Sequence, residues 1–133
     1  MNFIDTNVIV YSIIGRQSPE KHQIAIQLLR EPNLILSSQV VNETVSALRG
    51  KEGLEEEIVR AIVDDLYYRF TVIDLISEDI FAAFDLRSHY KFSLWDSLIV
   101  ATALRSGVER LYSEDMQHGL VVEGRITIWN PFQ

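Results

Sequence analysis

The stretch Phe3-Ile4-Asp5-Thr6-Asn7-Val8-Ile9-Val10-Tyr11 decides the fold. Two apolar residues run straight into an aspartate. Thr and Asn follow, and an apolar-rich run begins at once. The pattern predicts a short buried strand, a carboxylate at its carboxyl end, and a helix that starts immediately. Thr6 or Asn7 is expected to cap that helix through its side-chain oxygen. In open α/β sheets, ligands bind beyond the carboxyl ends of the strands, so Asp5 stands where a site is expected.

Outward from this start, apolar strands alternate with amphipathic helices. Gly15 follows the first helix. Ser18-Pro19 opens a second, with Pro at its first position and Ile24, Leu28 and Leu29 as its apolar face. Glu31-Pro32 ends it. Leu34-Ile35-Leu36 reads as the second strand, and Ser37 or Ser38 caps a helix to about Arg49 with Val41, Val45 and Leu48 as its core stripe. A further helix runs to about Arg69 on Ile58, Ile62 and Leu66. Thr71-Val72-Ile73 is the third strand. Ser77 caps a helix through Ile80, Phe81 and Phe84. Ser93 opens the helix Leu94 to Ser106, apolar nearly all round and therefore largely buried. Leu111-Tyr112 is a fourth strand, and Arg125 to Trp129 an edge strand. Such alternation predicts a mostly parallel sheet with helices on both faces.

The 133 residues are enough for one domain without disulfide staples. There is no cysteine, which fits a reducing compartment. No basic segment followed by a long apolar run marks a signal peptide, and no apolar stretch of about 18 residues marks a membrane span. A cytoplasmic protein is expected. The net charge of −7 argues against holding nucleic acid by a broad basic surface. It leaves open an enzyme that meets a phosphodiester through metal ions.

Four acids fall where the topology gathers them. Asp5 ends strand one, and Asp115 follows strand four. Glu43 lies on the helix leaving strand two, and Asp96 in the first turn of the buried helix. Each has a plainer reading: Asp5 as a helix cap, Glu43 as a solvated glutamate, Asp96 as part of a capping box with Ser93, Asp115 as a turn residue. Together they predict a site that needs cations to offset repulsion. Oxygen ligands without Cys or His point to Mg²⁺ or Mn²⁺ and away from zinc. Such ions can activate water and stabilise the leaving oxygen of a phosphodiester. His22, His89 and His118 are scattered, and the cations Arg16, Lys21, Arg49, Lys51, Arg87 and Lys91 read as surface charge.

Asp5-Thr6-Asn7, Glu43, Trp95-Asp96 and Ser113-Glu114-Asp115 in this order resemble the PIN-domain ribonucleases, and within them the VapC-type toxins of toxin–antitoxin pairs. The likeness covers the whole chain, and the run Tyr112 to Gly119 is similar to one VapC-like branch. The resemblance implies a single PIN-like domain over residues 1–133. Its three α/β/α layers would surround a mostly parallel sheet of four to five strands. It implies a Mg²⁺- or Mn²⁺-dependent endoribonuclease whose metal is held by Asp5, Glu43, Asp96 and Asp115. Thr6, Asn7 and Ser113 would orient carboxylates or water. RNA substrate, a cognate antitoxin and a homodimer follow as partners. The alternatives are another phosphoryl-transfer α/β domain and a non-catalytic module. A dehalogenase-like phosphatase wants a second Asp where Asn7 stands, and a receiver wants an acidic pair that residues 4 to 6 lack.

Overall fold

The computed structural model describes residues 1–133. The chain runs β1 (Asn2–Ile4), α1 (Thr6–Ile13), α2 (Pro19–Leu28), β2 (Leu34–Ser37), α3 (Ser38–Arg49), α4 (Glu56–Arg69), β3 (Thr71–Ile73), α5 (Ser77–Tyr90), α6 (Leu94–Ser106), β4 (Arg110–Tyr112), β5 (Val121–Val122) and β6 (Ile126–Trp129). The sheet order is β3-β2-β1-β4-β6-β5. Every neighbouring pair is parallel except β5 with β6. The sheet is flanked by helices, as the alternation predicts.

The central strands are short and apolar because both their faces are covered. All four residues of β2 are buried, and Phe3, Ile4 and Leu111 are fully so. The strand register sets Ile4 beside Tyr112 and Tyr112 beside Trp129. The carboxyl ends of β1, β4 and β6 therefore share one edge. Asp5 extends that edge by one residue, its N–H donating to the Tyr112 carbonyl at 2.9 Å. α6 closes as its pattern requires: the Ser93 hydroxyl accepts from Asp96 N–H at 3.1 Å, and Gly107 takes φ +75° at the far end.

The structure corrects several expectations. The sheet has six strands, not four to five, and the segment ending at Trp129 is not its edge. β5, two residues long, pairs outside it, and a run that short carries no periodic signal. Asp5 itself caps α1, its Oδ1 accepting from Thr6 N–H at 2.7 Å. Thr6 and Asn7 are thereby freed to reach other residues. Ser77 is the first residue of α5 and not its cap. The free Ile76 N–H donates to Asp79 Oδ2 at 3.0 Å instead.

Helix faces are also rotated from the expected ones. Ala25 is buried while Ile24 is exposed, and Val59 is buried while Ile58 is half-exposed. On α3 the buried stripe is Val40, Val41, Thr44 and Leu48, with Val45 at its margin. On α5 the buried residues are Asp79, Ala83 and Leu86, whereas Phe81 is 73% exposed. These helices carry more apolar residues than one face needs, so composition alone does not choose the face.

Candidate active site

Three consecutive residues after β1 assemble the site. Asp5 is 2% exposed and keeps both carboxylate oxygens occupied. Oδ1 accepts from Thr6 N–H, and Oδ2 accepts from the Ser113 hydroxyl at 2.7 Å. Thr6 Oγ1 donates to Glu43 Oε1 at 3.0 Å, and Asn7 Nδ2 donates to Asp115 Oδ2 at 2.8 Å. One helix start thus holds a carboxylate of its own, a carboxylate from α3 and a carboxylate from the loop after β4. The Ser113 hydroxyl also accepts from Asp115 N–H at 3.3 Å. That bond folds the loop back on itself in an ST-type turn.

Glu43 is half-buried and not a free surface glutamate. Its second oxygen accepts from Gln39 Nε2 at 2.9 Å, one helical turn earlier. Gln39 is absent from the candidate residues of the sequence, although its spacing of four from Glu43 is a readable pairing. Asp96 sits in the first turn of α6, close enough to Asp5, Asp115 and Glu43 for their charges to act on one another.

Electrostatics follow from burial. Desolvation pushes Asp5 up to about 7 from an ordinary 3.8, against the lowering effect of its bonds to Ser113 and Thr6; the charges of Asp96 and Asp115 raise it further. Asp96 is raised by desolvation and then by Asp115 and Glu43. Asp115 is raised by desolvation and then by Glu114 and Glu43, with Asn7 opposing. The cation nearest in effect, Lys21, is committed elsewhere. It pairs with Glu114 and lies 5.0 Å from the centre of the Tyr11 ring. Tyr11 donates to the same Glu114 at 2.8 Å. This clamp joins α1 and α2 to the loop beside Asp115, and contacts so distant in the chain leave no sequence signal.

The donors that converge are all oxygen, three of the acids are pushed toward neutrality, and no basic side chain is paired with any of the four. That donor set fits a hard divalent cation. In the present side-chain arrangement no three His, Asp or Glu groups close tightly enough around one point to cage an ion. The histidines lie apart in structural roles. His22 meets the Tyr11 carbonyl, His89 the Asp85 carbonyl, and His118 accepts from Asn130 N–H at 3.0 Å.

The PIN domain family matches the chain over residues 3–120. This chain belongs to the PIN-domain family. Solved structures agree on the fold. A toxin–antitoxin complex from Klebsiella pneumoniae is 25% identical, with a TM-score of 0.70 over 98% of each chain. VapC20 of Mycobacterium tuberculosis, described as a sarcin–ricin loop cleaving toxin, is 19% identical with a TM-score of 0.71. That match covers 86% of this chain and 90% of the other. FitAcB of Neisseria gonorrhoeae is 17% identical with a TM-score of 0.68 over 99% of each. No curated protein matches the chain. Within this PIN domain, Asp5 follows β1, Glu43 lies on α3, Asp96 stands in the first turn of α6 and Asp115 follows β4.

Proposed function

We propose that this PIN domain, spanning residues 1–133, is a divalent-metal-dependent endoribonuclease of the cytoplasm and the toxin of a VapBC-type pair. The observation that carries the reading is the gathering of Asp5, Glu43, Asp96 and Asp115 at one sheet edge, with Thr6 and Asn7 bonding two of them. A binding module has no physical need to bury an acid among acids.

Asp5, Asp96, Asp115 and Glu43 would hold Mg²⁺ or Mn²⁺. When bound, the ion supplies Lewis acidity that activates water and stabilises charge on the leaving oxygen of a phosphodiester. The chain's own residues do the rest. Ser113 and Thr6 N–H fix the Asp5 carboxylate, Asn7 fixes Asp115, and Gln39 with Thr6 fixes Glu43. No side-chain nucleophile is required.

Two surfaces support protein partners. An apolar cleft of about 450 Å³ between α1 and α4, with Ile9, Ile13, Ile58 and Ile62 in its wall, suits an antitoxin segment. Ile80, Phe81 and Phe84 leave α5 with an exposed apolar strip, which suits a second copy of the chain. No helix is long and apolar enough to cross a membrane.

The test is cleavage of total RNA by antitoxin-free protein with Mn²⁺, with Mg²⁺ and with EDTA, beside Asp5→Asn. Discrete fragments that require metal and vanish in the folded variant support the proposal. Equal cleavage by Asp5→Asn removes Asp5 from the site. Absence of both cleavage and calorimetric Mn²⁺ binding moves the chain to the interaction modules.

A further inference from the structure

Beside the acids lies an open cavity of about 550 Å³. Glu43 and Asp96 both stand in its wall. Gln39, Asn42, Ser46 and Trp95 form the rest. Ser93 also reaches the wall, with its hydroxyl already spent on Asp96 N–H. Trp95 is the single apolar side chain there and is 60% exposed. An indole of that size left in water, one residue before a site acid, is unexplained by the core, by the cap of α6 or by the metal donors.

The wall's chemistry selects the occupant. It holds no lysine or arginine and two carboxylates, so a phosphate is repelled unless cations intervene. With one apolar residue it is not a groove for an apolar helix or strand. A flat, neutral group with hydrogen-bonding edges fits best. It can lie on the indole and meet amides and hydroxyls with its rim. Gln39 spends its amide nitrogen on Glu43 and keeps its carbonyl oxygen as an acceptor, while the exposed Asn42 offers both a donor and an acceptor. An unpaired nucleobase has that shape and those edges, and single-stranded RNA is read by stacking on aromatics and by edge contacts.

We propose that this cavity is a nucleobase subsite: Trp95 stacks one unpaired base flanking the scissile phosphate, and Gln39, Asn42 and Ser46 read its edge. The inference rests on the ribonuclease reading and extends it to substrate selection. Because Trp95 and Asp96 are adjacent, the stacked base belongs to a nucleotide next to the cut. Stacking there would hold the strand in register over the acids, and it requires the base to be out of a duplex.

The experiment uses the full chain with Mn²⁺ and a short RNA spanning a cut mapped in total RNA. Abasic nucleotides are placed singly on either side of the cut. Trp95→Ala is expected to lower kcat/KM by about tenfold or more, the size of one lost base stack, and Trp95→Phe to retain most of it. One abasic position should impair the wild type equally and cost Trp95→Ala little more. Wild-type rates in Trp95→Ala overturn the subsite while leaving the nuclease standing, and so do independent, multiplying losses. A rate loss that tracks a change in molecular mass by light scattering overturns it in favour of a contact between copies. A wild type that cuts no RNA and binds no Mn²⁺ removes the nuclease reading, and the subsite with it.

Discussion

The Ser113 hydroxyl donates to Asp5 Oδ2 at 2.7 Å across 108 residues of chain. The same hydroxyl accepts from Asp115 N–H. Ser113 is therefore a relay in which the loop after β4 is fastened to the acid after β1. The relay opposes burial, since it lowers the pKa of Asp5 while desolvation raises it.

Ser113→Ala is expected to break that balance. Asp5 loses a donor within a buried site and takes up a proton more readily. The acid limb of the pH–rate profile should move to higher pH. Near pH 7 the rate should fall by roughly tenfold or more, the scale of one hydrogen bond to a charged group. A profile that keeps its midpoint would show that this bond does not control the ionisation of Asp5.

Metal-free stability should fall as pH rises from about 4 to about 7. The folded protein holds a proton on Asp5 up to about 7, whereas an ordinary aspartate sheds it near 3.8. Between these values the native state binds more protons than the unfolded chain, so raising pH favours unfolding. The contribution is fully present below the lower value and gone above the upper. Its full size is on the order of 4 kcal/mol, at about 1.36 kcal/mol for each pH unit between the two values. Asp96 and Asp115, also raised, add in the same direction. Urea denaturation in EDTA at pH 5 and pH 8 captures the larger part of it, and Asp5→Asn should lose most of that difference. Parallel pH curves for the two proteins would remove Asp5 as its source.

The acids are legible in the sequence because the topology brings them together. Once strands are parallel, residues after β1 and after β4 share an edge, and helices leaving that edge bring Glu43 and Asp96. The resemblance implies that Thr6, Asn7 and Ser113 orient carboxylates or water, but which acid each one holds is not legible. Nothing in Asp5-Thr6-Asn7 announces that Thr6 reaches Glu43, 37 residues away, or that Asn7 reaches Asp115. The sequence alone makes both residues candidate caps, because local hydrogen bonding is the commoner use of Thr and Asn. Helix faces mislead for a related reason. Phe81 and Phe84 are apolar, but on α5, which packs against α6, the small Ala83 is buried and the large rings are left outside.

Arg105 offers a control remote from the chemistry. Its guanidinium donates to both oxygens of Asp79 at 2.9 Å and to the Asp74 carbonyl at 2.7 Å. Asp79 is buried, so removing its partner leaves an unpaired charge inside the fold. Arg105→Leu should cost about 2–3 kcal/mol of stability, less than a fully buried pair because Arg105 is partly exposed. Cleavage per folded molecule should be unchanged. A variant as stable as wild type in urea would assign the tie no weight.

Asp96 separates repulsion from metal binding in one variant. Without metal, Asp96 raises Asp5 and is itself raised by Asp115 and Glu43, so neutralising it relieves strain among like charges. Asp96→Asn should therefore melt at a higher temperature than wild type in EDTA. With metal the sign reverses. An ion that binds only the folded state stabilises it by about 2.7 kcal/mol at one hundred times its dissociation constant. For a domain of this size that is a rise of about 10 °C. The wild type should show it with Mn²⁺, and Asp96→Asn should show a much smaller rise, because one donor is gone and the remaining acids hold the ion more weakly. The two melting curves are then expected to cross as Mn²⁺ is added: variant above in EDTA, wild type above with the ion. An equal metal-induced rise in both proteins would take Asp96 out of the metal site and leave it only its place after the Ser93 cap.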